Sequence, residues 1–505
     1  MSPKKLFVDT RVSYAAFILF LIGVGVLFIW SLHYFYAPNS DFFLYLTEGH
    51  ALTKSPFARV VAPPLYSIIV FCLETALPIR SPGFIGGALL NIVLFVLTLY
   101  FMWDLSKRWL GAYAYVPVVW MLMSPLSYPV NLQTTNMPLA LLFVIMSLDY
   151  NDTNPITSYI LAALAVFSRI ESIVLFAIFI VFDLAKRKRI RAPLILFVCA
   201  AIACCSLLGP LLRPNGLDYI HEIVARRAEV PNVLFITNSF FIIPFSAISK
   251  FRTTVSFFSE VSFFTAATIM WLTAGAWYCY KRHMYEPFML LGYISMYSVI
   301  HLVFPDAAFR YSYLVLPGIF ILLCWPAAIT GKKAPQYIRI CTVIIVVSLT
   351  GLIGSFFYTD GLPYVDRERL IDSEIRLTAD WFSGAIHSPS DVYVFEPYVY
   401  RYFSNNRYVI YPDTFHAYNW VRDLCAQRNR TYFVLDSRSS ADGGYWDYQN
   451  GLGFFHLIAT STETRHALSI VHTISMGDHW AKIYTIDTNT WCNSPSIKKL
   501  FSQYQ

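Results

Sequence analysis

Across its 505 residues the chain is 56% hydrophobic, 17% aromatic and only 14% charged, with a net charge of +7. Windows of about 20 residues without a charged side chain recur along it, which excludes a water-soluble globular enzyme and marks a polytopic α-helical membrane protein. The basic excess sits in short clusters between these windows, so it reports orientation in a membrane, with no nucleic acid as partner.

An Asp or Lys at the bilayer centre costs roughly 2.5 to 3.5 kcal/mol even on a lenient insertion scale, so charge-free windows make good span boundaries. In chain order they predict about eleven transmembrane helices, at 15–33, 82–103, 112–126, 132–148, 156–168, 170–182, 193–212, 258–280, 287–304, 311–329 and 340–357. The fifth and sixth are short for a full crossing and read as tilted or half-depth. With the N-terminus in the cytoplasm, this order puts five basic clusters on the cytoplasmic side. They are Lys4, Lys5 and Arg11; Lys107 and Arg108; KRKRIR at 186–191; KRH at 281–283; and Lys332 with Lys333. The first span lacks a small-residue cleavage site behind it and reads as an uncleaved anchor. The expectation is a multi-pass protein of the cytoplasmic membrane whose outer surface comprises residues 34–81, 213–232, 305–310 and everything after 358.

The first outer loop opens with YAPNSDFFLYLTEGHAL. Asn39 or Ser40 can cap a short helix there, and Phe42, Tyr45, Leu46 and Leu52 give it an apolar side suited to lying on the membrane surface. Asp41 stands at the helix start, with Glu48, Lys54 and Arg59 following. The next segment, APPLYSIIVFCLETALP, is apolar but proline-rich and too short to span, and predicts a second interfacial helix.

Beyond 358 the charge density rises, and Ile371, Ile375, Phe382 and Ile386 mark one face of an amphipathic helix. Strand-like runs follow at DVYVFE (391), RYVIY (407) and TYFVLD (431), with a hairpin over 468–486 turning at Gly477 and Asp478. These predict a small extracytoplasmic α/β domain over 359–505, following a membrane module over 1–358. No glycine-rich loop joins strand to helix there, so the domain has no phosphate cradle of its own. Of nine cysteines, seven fall in or beside apolar helices, Cys72 among them, and read as small buried hydrophobes. Cys425 and Cys492, in the outer domain, either pair in an oxidising compartment or stand apart; spacing alone does not decide.

Several chemistries lack their local signature. There is no Asp-x-Asp, no pair of histidines three or four apart, no Gly-x-Ser-x-Gly and no Walker-type loop. Nucleotide-sugar, zinc-hydrolase, serine-hydrolase and ATP-driven readings are therefore unsupported.

A first span, an outer loop opening on an acidic residue with a tyrosine close behind, and then PPLY resembles the membrane-embedded glycosyltransferases of the C type (GT-C), most closely their protein O-mannosyltransferase and aminoarabinose-transferase branch. Other pieces follow in the same order: AVFSRIESIVLF at 165–176, FPDAAFRYSYLVLPGIFILL at 304–323, and LTADWFSGAIHSPSDVYVFEPYVYRYFSNNRYVIYPD at 377–413. The likeness touches most of the chain. Two departures stand out: only one carboxylate, Asp41, opens the loop, where many members carry two, and Ala62-Pro63 replaces the usual lysine before the proline.

The resemblance implies an inverting transfer of a sugar from a polyprenyl-phosphate donor to an acceptor hydroxyl on a glycan, lipid or protein, at the periplasmic face and in cell-envelope modification. Asp41 would be the general base; its unperturbed carboxyl titrates near 3.9 and is ionised at neutral pH. The leaving phosphate needs cations: Arg310 first, because a guanidinium binds two phosphate oxygens, with Tyr311 adding a hydroxyl, then Arg59, Arg169 and Lys54. Glu48, Tyr45, Arg226 and Arg227 would support the site or meet the acceptor, and Glu171 would hold Arg169 or bind acceptor. No cofactor is implied with certainty; some members use a divalent metal, but no second carboxylate beside Asp41 speaks for one. Each residue has a plainer role: Asp41 as a helix cap, Arg169 with Glu171 as a structural pair, Arg310 as a headgroup anchor, Arg226 and Arg227 as a solvated helix face. A polar-lipid transporter or flippase and a non-catalytic assembly subunit remain the rival functions.

Overall fold

A computed structural model of the chain describes residues 10–31, 40–54, 64–76, 84–124, 127–132, 135–184, 285–303, 313–330, 362–385, 391–394, 407–410, 431–436, 468–477 and 479–493, with a few single positions between them. The expected spans at 193–212 and 258–280 lie outside the described residues. The chain divides into two units, Met1–Leu32 with Leu44–Val365, and His33–Phe43 with Asp366–Gln505.

Among the described residues the first unit is helical. Helix α1 (Thr10–Ser31) is seated on α4 (Phe84–Leu110) by Phe17 stacked on Trp103 at 4.2 Å and Phe28 against Phe95 at 5.1 Å, so the two run antiparallel. Between them in sequence come α2 (Ser40–Lys54) and α3 (Pro64–Ala76). Helix α4 does not stop near Trp103, as the hydropathy suggested, but runs on to Leu110. Lys107 lies over the Trp103 ring at 5.0 Å and Arg108 pairs with Asp149, so both charges find partners without leaving the helix. Gly111, at φ +59°, then turns the chain in the left-handed conformation that glycine adopts without strain.

Helices α5 (Tyr115–Met123), α6 (Ser127–Leu132), α7 (Met137–Tyr150), α8 (Pro155–Ser168) and α9 (Val174–Phe182) follow. Asn91 of α4 bonds to Thr135 just before α7, while Arg108 bonds to Asp149 near its end, so α4 and α7 run in the same direction. Helix α8 runs back against α7 (Ser158 to Ser147, Asn136 to Ser168), and α9 runs back against α8 (Tyr159 to Asp183). Asn154 starts α8 by accepting from the Thr157 N–H, with Pro155 supplying a preset φ. Helix α10 (Glu286–Val303) begins at the Arg108 end, where Tyr285 meets Phe182 and Met289 meets Asn151. Helix α11 (Leu316–Thr330) packs Trp325 on Trp109 and Phe320 on Trp120. Among the described residues, the segment Gly87–Tyr113 is the one long and apolar enough to cross a membrane. Phe17–Trp30, Met137–Tyr150, Pro155–Ser168, Glu171–Phe182 and Leu316–Trp325 are shorter apolar stretches.

The outward surface is also apolar. Leu19, Val26 and Trp30 of α1 are 68%, 61% and 60% exposed, and Val181 of α9 is 64% exposed. Contiguous apolar surface of this kind suits lipid tails and is costly in water. Cys72 corrects the sequence reading: it is exposed on α3, whereas Cys324 is buried in α11.

The second unit carries a mixed sheet. Its strands are β1 (Asp391–Val394), β2 (Arg407–Ile410), β3 (Thr431–Asp436), β4 (Leu468–Met476) and β5 (His479–Ile486), ordered β2-β1-β3-β5-β4. β1 pairs in parallel with β2 and β3, while β5 is antiparallel to both β3 and β4. The β4–β5 hairpin turns at Gly477, whose φ of +60° meets the turn's demand for a left-handed residue. Helix α12 (Leu362–Ala385) lays Ile375, Ala379 and Phe382 on one sheet face, against Val392, Val394, Tyr432, Val434, Ala481 and Ile483.

Cys425 and Cys492 form a disulfide with Cα atoms 5.8 Å apart, at a sequence separation of 67. Closing so long a loop restricts the unfolded chain, so replacing both by Ser is expected to cost about 2 to 4 kcal/mol, read as earlier thermal unfolding of the purified protein. Cys492 ends α13 (Thr488–Cys492), whose cap Asp487 accepts from the Asn489 and Thr490 N–H groups. The Thr490 hydroxyl and N–H hold the Asp487 carboxyl below the usual range. A depressed carboxylate stabilises the fold above its unfolded pKa and loses that contribution as pH falls through the folded one. Asp487→Asn should therefore flatten the acid limb of the pH–stability curve.

Candidate functional site

Helices α2 and α3 meet at Gly49. A methyl group added there would lie 2.3 Å from the Ser67 carbonyl oxygen and 2.6 Å from Phe71 Cβ, so the helices approach as closely as backbone allows. On this contact Tyr45 meets the Tyr66 ring edge-on at 5.0 Å, and the Ser67 hydroxyl reaches Glu48 Oε2 at 3.5 Å. Glu48 is 5% exposed. The apolar side of α2 thus packs partly on protein, where the sequence suggested the membrane surface alone.

Tyr66 links this pair to the bundle. Its hydroxyl donates to Asn91 Oδ1 at 2.9 Å, and Asn91 Nδ2 donates to the Thr135 carbonyl at 3.1 Å. Burial pushes the Tyr66 phenol up, with neighbouring Tyr45 adding to the effect, so it stays a neutral donor. Interhelical hydrogen bonds in membranes average about 0.6 kcal/mol and reach about 1.7, enough for such a chain to hold four segments in register.

Asn136 precedes α7 but does not cap it. Both ends of its amide serve α8 instead: Nδ2 donates to the Ser168 carbonyl at 2.8 Å, and Oδ1 accepts from Arg169 Nη1 at 3.0 Å. At Arg169 the backbone turns extended (φ −154°, ψ 123°), then re-enters a 3-10 turn over Ile170–Ile173 before α9. The break lets the side chain turn back, so Arg169 Nη2 and Nε reach Glu171 Oε1 and Oε2 at 2.6 and 3.3 Å. Both side chains are 11% exposed, which makes the pair strongly coupled and costly to leave half-made. Nearby in the same bundle, Asn131 of α6 and Tyr313 exchange hydrogen bonds at 2.9 and 3.0 Å. Tyr313 comes three residues after Arg310, so this contact anchors the chain directly downstream of it.

Of the residues singled out in the sequence, Tyr45 and Glu48 are brought into the α2–α3 contact, and Arg169 and Glu171 into one ion pair. Asp41 lies on the first turn of α2, and Lys54 on the exposed last turn. Arg59, Arg226, Arg227, Arg310 and Tyr311 lie outside the described residues. Asn91, Asn131, Asn136, Tyr66 and Tyr313 were missed; the available signal was an uncharged amide inside or beside an apolar window, which is expensive unless bonded. Among the described residues no group of three or more His, Cys, Asp or Glu could hold a metal ion.

No known protein family and no curated protein matches the chain by sequence. Solved structures resemble it in three dimensions, and three of them follow. ArnT from Cupriavidus metallidurans bound to undecaprenyl phosphate matches with a TM-score of 0.53 at 10% identity, covering 93% of this chain and 98% of that one. The same protein in its apo state matches with a TM-score of 0.52 at 10% identity, covering 95% and 99%. The oligosaccharyltransferase of Archaeoglobus fulgidus in the apo form gives 0.48 at 10% identity, covering 84% and 70%. The chain therefore shares, over nearly its whole length, the fold of ArnT, an aminoarabinose transferase of the GT-C type that the order of its sequence motifs resembles.

Proposed function

We propose that the protein is an inverting glycosyltransferase that moves a sugar from a polyprenyl-phosphate donor to an acceptor hydroxyl at the outer face of the cytoplasmic membrane. The observation that carries this reading is the fold shared across 93% of the chain with ArnT bound to undecaprenyl phosphate. The ordered sequence motifs and the bonded polar side chains inside an apolar bundle support it. In this reading the eleven spans carry the chemistry within 1–358, and 359–505 is an α/β domain in the periplasm.

The acceptor oxygen attacks the anomeric carbon as Asp41 takes its proton, and the bond from that carbon to the phosphate oxygen breaks, releasing polyprenyl phosphate and leaving the anomeric carbon inverted in the product. Arg310, Tyr311, Arg59 and Lys54 neutralise the departing phosphate. Arg169, oriented by Asn136 and Glu171, adds a fixed cation. Glu48, Arg226 and Arg227 line or support the acceptor side, and Tyr45 braces α2 one turn beyond Asp41. A donor on a lipid explains why no nucleotide-binding signature is needed.

The test is sugar transfer by membranes carrying wild type or Asp41→Asn, supplied with a panel of polyprenyl-phosphate sugars and scored for donor consumed. A second variant probes the positioning of Arg169. Asn136→Ala removes a hydrogen bond to a charged group, so transfer should fall about 10- to 100-fold through kcat/KM. Asn136→Asp, which retains an oxygen facing Arg169, should recover part of the loss. Equal activity of all three proteins would remove Arg169 orientation from the mechanism.

A further inference from the structure

The two faces of the sheet differ. Helix α12 covers the face bearing Val392, Val394, Tyr432, Val434, Ala481 and Ile483. On the opposite face Tyr393 and Phe433 stack at 5.4 Å and are 4% and 0% exposed, so the β1–β3 side is buried. On the β5–β4 side of that face the described side chains reach the surface. Trp480, Lys482 and Tyr484 alternate along β5 and are half-buried, while their cross-strand partners Ser475, Thr473 and Ile470 on β4 are exposed. These six side chains carry one positive charge and no negative one.

We propose that this strip binds a carboxylate-bearing glycan, of the kind built from uronic acids. Alternate strand residues stand about 6.7 Å apart, so Trp480 and Tyr484 are separated by about 13 Å, room for a short oligosaccharide lying along β5. A pyranose presents apolar C–H groups on its ring faces and hydroxyls at its rim. Aromatic faces flanked by the Thr473 and Ser475 hydroxyls match both parts. The Lys482 ammonium rests over the Trp480 ring, 4.8 Å from its centroid. A lone cation–π contact at a half-buried site is weak, so it exchanges readily. A ligand offering a ring face to the indole and a carboxylate to the ammonium replaces both halves of the contact at once. A single lysine supplies one positive charge, which one carboxylate balances and which a phosphate monoester, at about −1.5 to −2, exceeds, so the strip favours a carboxylate. Only the further step of naming this glycan the acceptor rests on the transferase reading.

The experiment is calorimetry on the full-length protein in detergent, without donor, using tetragalacturonate, neutral maltotetraose and a phosphorylated maltotetraose as probes. Tetragalacturonate should bind more tightly than the other two. Trp480→Ala and Tyr484→Ala should each weaken it by about tenfold or more. Lys482→Gln should weaken it roughly three- to fivefold and leave the neutral probe unchanged. Trp480→Phe, which preserves a ring, should recover most of the affinity with an unchanged unfolding temperature. Absence of binding, equal binding by wild type and variants, or preference for the phosphorylated probe would each overturn the proposal. Because no turnover is measured, a failed transfer assay leaves this result standing, and a failed binding assay leaves the transferase reading untouched.

Discussion

Membranes carrying Asp41→Asn are expected to consume no donor that the wild type consumes. The amide keeps the shape of the carboxylate but cannot accept a proton, and positioned general-base catalysis is typically worth 10² to 10⁴ in rate. The substitution also separates that role from the plainer one. Asn caps a helix about as well as Asp, and loss of a negative charge from the first turn of α2 (Ser40–Lys54) costs only about 0.3 to 1 kcal/mol. A capping Asp41 would therefore leave expression, unfolding temperature and transfer nearly unchanged. Equal turnover by both proteins would take Asp41 out of the chemistry. Failure of the wild type to consume any polyprenyl-phosphate sugar would put the transporter and assembly-subunit readings in front.

Gly49→Ala is expected to lower both stability and activity, although the residue touches no reacting atom. The new methyl would sit 2.3 Å from the Ser67 carbonyl oxygen and 2.6 Å from Phe71 Cβ. The nearer atom is backbone and the other lies at the root of a side chain, so no rotamer change relieves the clash and α2 must move away from α3. Overpacking of this kind costs about 1 to 3 kcal/mol. The shift would also disturb the Tyr45–Tyr66 contact and the Ser67–Glu48 bond, and with them the placement of the helix that carries Asp41 on its first turn. The unfolding temperature in detergent and the transfer rate should fall together. Gly49→Ala with wild-type stability would show that α2 and α3 tolerate separation. By contrast Gly23, with nothing within 4 Å of an added methyl, should accept alanine silently.

Sequence patterning located elements better than it located partners. The 3-10 break at Ile170–Ile173 falls where the motif SRIES interrupts two apolar windows, and the hairpin turns at Gly477, because both depend on local hydropathy and turn chemistry. Span ends were less legible. Lys107 and Arg108 read as a loop because charges end an apolar window, yet α4 keeps them by pairing Arg108 with Asp149, 41 residues on. Cys72 read as buried because cysteine and its neighbours are apolar, yet it faces outward from α3. In a membrane protein apolar side chains lie on both surfaces of a helix, so composition does not separate core from lipid face.

The linear chain was enough to read the membrane class, the alternation of basic clusters and the order of motifs that resembles GT-C enzymes. These are sums of local transfer energies and short-range spacing, which a linear reading captures. Tertiary structure alone decided that Asn136 serves Arg169 and not its own helix, that Tyr313 meets Asn131 across 182 residues, that Gly49 lies against Ser67, and that Cys425 joins Cys492. Such contacts depend on which helix faces lie together, and an amide, a glycine or a thiol carries no mark of its partner in the chain itself.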